Sequence, residues 1–210
     1  GPVQRRLVLV AHLDSVRGLL VRIVPGFLFQ GQSFVFAFNA AIIHLLHVVL
    51  GSVAPLAGVW WVAFAAGLYL IFHLTVLVHG SLNLPPSPGA NDNASGLAVL
   101  IEMAEHLHAL RRTEVWFLAT CGHEAGLAGM HHFLRQGTLN RDDTFVINLD
   151  SVGAGTVNLT VVEGYLRGQA VPRQLLEVAA HVVHDTGLPV QTRPYQNELT
   201  EAYLALRSGL

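Results

Sequence analysis

The chain has 210 residues, 12 Lys and Arg against 14 Asp and Glu, and a formal net charge of -2. That near-neutral balance carries no nucleic-acid signature, and the single cysteine, Cys121, excludes an internal disulfide framework. Charged residues make up only 12% and mean hydropathy is +0.48, an apolar balance that is concentrated in one stretch rather than spread along the chain.

The first element is Arg6-Leu7-Val8-Leu9-Val10-Ala11, short, apolar and partly β-branched, which reads as a buried strand. It runs into His12-Leu13-Asp14-Ser15, so His12 and Asp14 share a side if the strand continues. A histidine at a strand end is often structural; at the C-terminal end of a buried strand it also stands where open α/β sheets place their sites.

From Ile23 to Asn91 there is no Asp, Glu, Lys or Arg. Two segments, Phe34 to Val53 and Leu56 to Val78, are long enough to cross a bilayer. Gly51-Ser52-Val53-Ala54-Pro55 breaks them, and Trp60, Trp61 and Tyr69 suit membrane interfaces. The expectation is an inserted transmembrane helical hairpin over residues 18–85, with both ends on one side and membrane lipid as a partner. Leu19 to Phe29, broken at Pro25-Gly26, is too short to span. Arg17 and Arg22 flank the hairpin on the domain side, a weak pointer to a cytoplasmic domain that leaves the side of the membrane open. His44, His47 and His73 fall inside the spans, where an interhelical hydrogen bond accounts for them better than a metal site.

Pro88-Gly89-Ala90-Asn91-Asp92-Asn93-Ala94-Ser95-Gly96 is turn-forming, and apolar residues at helical spacing follow it. Asp92 thus sits on a tight loop before a helix, as a metal ligand or as an N-cap. A regular alternation follows: helix Ala94–Leu110, strand Glu114–Thr120, helix Gly126–Arg135, strand Thr144–Leu149, strand Val157–Val162, helix Gln174–His184, and a helix start at Leu199. This predicts an α/β fold, a mostly parallel central sheet flanked by helices, with the hairpin inserted. Residues 1–17 and 86–210 would form that domain.

Potential ligands stand at four strand ends or adjoining loops: His12, Asp92, Glu124 in Gly122-His123-Glu124-Ala125-Gly126, and Asp150 in Asn148-Leu149-Asp150-Ser151. One His and three carboxylates suit zinc or a similar divalent ion. Each also has a structural alternative, as a helix-end charge or turn residue, but the joint pattern points to a metal.

The motifs AHLDS, PGANDNASG, GHEAGLAG and NLDSVG, in this order, resemble those of the family-twenty-eight metallopeptidases, the bacterial leucyl-aminopeptidase-like enzymes, over residues 5–16 and 86–210. The resemblance implies two zinc ions bridged by Asp92. His12 and Asp150 would complete one site, Glu124 would serve the other, and Asp14 would support His12. It implies metal-assisted hydrolysis of peptide bonds at free N-termini, with peptide as the substrate and two zincs activating a water. His123 stands where the family keeps a glutamate base, so it is the candidate base, its unperturbed pKa lying near neutrality. The family's last zinc ligand is a His beyond the helix that Thr200-Glu201-Ala202 resembles, so the chain is expected to be truncated. The chief reading is a multi-pass, membrane-anchored zinc aminopeptidase. The alternatives are a glutaminyl-cyclase-like single-zinc enzyme and a catalytically inactive homologue that acts as a binding module.

Overall fold

The computed structural model describes residues 2–15, 31–51, 57–107, 110–164, 168–195 and 199–210. The chain divides into two compact units, Gly1–Val16 with Pro88–Leu210, and Arg17–Ser87.

The first unit is built on β1 (Arg5–His12). Its centre, Val8 to Ala11, is almost inaccessible, as suits a strand covered on both faces. It pairs in parallel with β2 (Thr113–Thr120) on one side and β3 (Thr144–Asn148) on the other. Side chains alternate between faces. Leu7, Leu9 and Val115 pack under α3 (Gly96–His106), against Leu97, Leu100 and Met103. Leu118 and Val146, on the opposite face, meet α4 (Ala128–Arg135) and α6 (Glu201–Arg207) through Leu127, Met130, Leu204 and Ala205. Burying a side chain such as Leu9 contributes about 1.5–3 kcal/mol.

The remaining strands do not extend this sheet among the described residues. β4 (Asn158–Glu163) is the middle strand of a second three-stranded sheet, antiparallel to β5 (Gln169–Ala170) and parallel to β6 (Gln191–Tyr195). One central sheet was the expectation; two small sheets are found. β5 and β6 escape sequence reading because they are short and polar, and β6 carries Pro194, which a strand tolerates only where its missing donor is not needed. α5 (Arg173–Thr186) ends at Gly187, whose φ of 65° gives the left-handed cap. It has no buried residue, and Val178 and Val182 on its expected apolar face are more than half exposed.

The second unit holds α1 (Gly31–Gly51) and α2 (Ala57–Asn83). They pack on each other where His44 Nδ1 meets the Ala63 carbonyl at 3.3 Å and His47 meets the Trp60 ring edge-on. His44 thus makes the interhelical hydrogen bond expected of it. The break at Ser52–Pro55 and the segment from Leu19 to Phe29 lie outside the described residues.

No helix, over the described residues, is long and apolar enough to cross a membrane. This overturns the expectation of a multi-pass membrane protein with a transmembrane hairpin. The physical reason lies in the interruptions. Asn39, His44 and His47 in α1, and Tyr69, His73, Thr75 and His79 in α2, recur within each apolar run. Polar groups at such intervals cost free energy in hydrocarbon.

Candidate active site

β1 delivers His12 to the C-terminal edge of the first sheet, beside Thr120 at the end of β2. Leu149, just past β3, donates its N–H to the Val10 carbonyl and so brings Asp150 alongside. His12 is wholly buried. Its Nδ1 meets the Asp14 carbonyl oxygen at 3.0 Å. A carbonyl only accepts, so Nδ1 carries a proton and Nε2 is the nitrogen left to bind a second proton or a metal ion. Nε2 makes no hydrogen bond, yet Asp92 Oδ1 lies 3.1 Å away and Asp150 Oδ1 3.9 Å away.

A buried lone pair facing two carboxylates calls for a cation at that point. The titration behaviour says the same. Burial alone would lower the His12 pKa, but Asp150 and Asp92 outweigh it and raise the pKa to about 10. Asp150 is itself held below the usual carboxylate range: burial opposes this, and the His12 ring and the Ser151 hydroxyl prevail. One imidazole nitrogen and two carboxylates form a donor set that fits zinc.

Asp92 stands on a kinked turn, Ala90–Ser95, entered through Gly89 with φ 64°. The capping role open to Asp92 or Asn93 falls to Asn93, whose Oδ1 accepts the Gly96 N–H at 3.1 Å. Asn93, buried, also accepts the Ser151 N–H at 3.2 Å and donates to the Leu149 carbonyl at 2.9 Å. Asn91 accepts the Gly153 N–H at 2.9 Å. The two asparagines thus tie the Asp92 turn to the Asp150 loop, and the Asp92 side chain, half exposed, is left for other work.

Asp14 meets His12 Nδ1 through its main-chain carbonyl, and its carboxylate Oδ1 lies farther off, at 3.9 Å. The carboxylate instead accepts the N–H groups of His123 and Glu124, at 3.2 and 3.1 Å. Burial would raise its pKa; those two donors lower it. The loop that carries His123 and Glu124 is thereby fixed to the strand that carries His12.

His123 stacks on His12, with ring centroids 4.0 Å apart and planes 20° apart. His12, His123 and Asp150 each bring a ligand atom within 4.8 Å of the others. Neither Asp92 nor Glu124 is part of that tight group: Asp92 approaches it through His12 alone and is half exposed, and Glu124 is largely exposed. Partial desolvation, together with the Asp92 and Asp14 carboxylates nearby, nevertheless pushes its pKa up.

Sequence reasoning missed Glu201. It is fully buried at the start of α6 and contacts His123 Nδ1 at 3.1 Å. Its local signal, an acidic residue after the N-cap Thr200, is that of any helix start.

The family model for peptidase family M28 matches residues 73–202, more than half of the chain. The alkaline phosphatase isozyme conversion protein of Escherichia coli is 31% identical over 113 residues, 52% of this chain and 32% of that protein. Aminopeptidase YwaD of Bacillus subtilis is 41% identical over 75 residues, 34% of this chain and 16% of that protein. A probable zinc metalloprotease of Leptosphaeria maculans is 40% identical over 74 residues, 33% of this chain and 17% of that protein. The matched stretches thus cover about a third or less of these relatives, and no solved structure matches. The buried histidine between two carboxylates, the asparagine-tied turn and the extent of the family match lead to one assignment: the chain belongs to peptidase family M28.

Proposed function

We propose that this protein is a zinc-dependent exopeptidase that cleaves the bond after a free peptide N-terminus. The observation that carries the reading is His12 Nε2, buried and without a hydrogen bond between Asp92 and Asp150. His12, Asp92 and Asp150 would hold one zinc. Asp92, half exposed, would share a second with Glu124. Zinc bound there supplies Lewis-acid activation of a water and of the scissile carbonyl.

The chain's own residues do the rest. Asp14 fixes the His123-Glu124 loop, as its two hydrogen bonds require. His123, stacked over His12, takes a proton from the attacking water and returns it to the leaving amine. The names of two relatives, an aminopeptidase and a probable zinc metalloprotease, support a peptide substrate.

The test is hydrolysis of an aminoacyl-nitroanilide by the zinc-loaded protein, compared with an N-acetylated analogue. The reading expects cleavage of the free amine alone, abolished by chelation and by His12→Ala. Equal cleavage of both substrates would reject the exopeptidase reading, and cleavage that survives chelation would reject the zinc.

A further inference from the structure

Glu201 belongs to no ligand set, yet it is one of the most deeply buried side chains, at 0% exposure. Thr120, itself buried at the end of β2, donates its hydroxyl to Glu201 Oε1 at 3.1 Å. Both carboxylate oxygens lie 3.1 Å from His123 Nδ1. A carboxylate can only accept, so Nδ1 must be the donor, and the lone pair of the neutral ring then stands on Nε2. The helix that brings Glu201 is itself anchored. The Thr200 N–H donates to buried Glu163, and Thr200 caps α6 through the Ala202 N–H.

We propose that Glu201 is a positioning residue for His123: it fixes the ring's orientation and tautomer so that Nε2 faces the His12–Asp92–Asp150 cluster with its lone pair available. A His–Glu pair then stands beside the metal-binding residues. Thr120 holds the Glu201 carboxylate, Glu163 anchors the start of its helix through the Thr200 N–H, and stacking on His12 limits rotation of the ring. During hydrolysis Nε2 receives the proton as the water O–H bond breaks and the new C–O bond forms. The same proton then passes to the leaving nitrogen as the C–N bond breaks, and Nδ1–H stays on Glu201 throughout. This role rests on the zinc-exopeptidase reading; the orientation and tautomer do not.

Two readouts test it. The first is ¹⁵N-edited NMR of the His123 imidazole, on the neutral ring, with and without zinc. The native protein is expected to carry the proton on Nδ1. In Glu201→Gln the amide can donate to Nδ1, and the proton is expected to move to Nε2. The second readout is the split between kcat and KM for an aminoacyl-nitroanilide. Glu201→Gln should lower kcat by about a hundredfold and leave KM within about threefold, with zinc content unchanged. Glu201→Asp, which keeps the carboxylate, should restore the Nδ1–H tautomer and part of kcat. A native ring protonated on Nε2 would overturn the proposal, and so would Glu201→Gln with both its tautomer and its kcat intact. If the zinc-loaded native protein cleaves nothing, the peptidase reading fails, and the tautomers of the native and Glu201→Gln rings still decide what Glu201 does.

Discussion

At Glu163 the surroundings and the charge are in conflict. Its side chain is 2% exposed, and Thr200 supports its charge through both the N–H and the side chain. Burial prevails over that support and raises its pKa. The folded protein therefore keeps a proton there that the unfolded chain has already released. Stability falls as pH rises from the unfolded carboxyl's range, about 4, through the raised folded value, and the loss is complete above it. Glu163→Gln keeps an acceptor for Thr200 without the charge. Denaturant unfolding should give the variant a flatter stability–pH curve above about pH 4, with stability at neutral pH no lower than the native protein's. A variant clearly less stable at neutral pH would mean that the carboxylate itself supports α6.

Among elements, the junction of the Asp92 turn with α3 leaves no room for a side-chain atom. Gly96 has ordinary helical backbone angles, so its role is space and not freedom. A Cβ there would collide with Asn93 Oδ1 and with the Leu149 carbonyl, the two groups that tie the Asp92 turn to the Asp150 loop. Gly96→Ala should cost about 1–3 kcal/mol by overpacking, measured by denaturant unfolding, and should weaken zinc binding because both ligand loops shift. An unchanged zinc affinity would show that the loops tolerate the insertion.

This junction also shows how legible the sequence was. The apolar run of β1, the helical spacing after Gly96 and the positions of His12, Asp92 and Asp150 could be read directly, because each follows from periodicity or from a strand end. What could not be read depends on contacts between distant segments. Asn93 reaches Leu149 and Ser151, Asp14 caps a loop more than a hundred residues away, and Glu201 reaches back to His123. None of these leaves a local pattern. The uncharged stretch misled for the opposite reason. Absence of formal charge reads as membrane compatibility, whereas the histidines and hydroxyls spaced through α1 and α2 interrupt each apolar run.

At the scale of the whole molecule, the residues that precede and follow the apolar unit come together. A Cβ on Gly89 would lie 2.9 Å from Ser15 Cβ, so the two ends of residues 17–87 are adjacent in the first unit. Loop-closure entropy changes slowly with length. Replacing residues 17–87 by a short Gly/Ser linker should therefore preserve a cooperative thermal transition and zinc binding by the rest. Loss of both would show that the apolar unit is needed for the first unit to fold.

The central claim is that His12, Asp92 and Asp150 hold zinc, and Asp92 offers the cleanest test. Its side chain is half exposed, so removing it should leave the core undisturbed. The measurement is bound zinc after exhaustive dialysis of the native protein and of Asp92→Ala, with circular dichroism to show that both are folded. The account predicts zinc retained by the native protein and none by the folded variant. A folded Asp92→Ala that retains as much zinc as the native protein would contradict it.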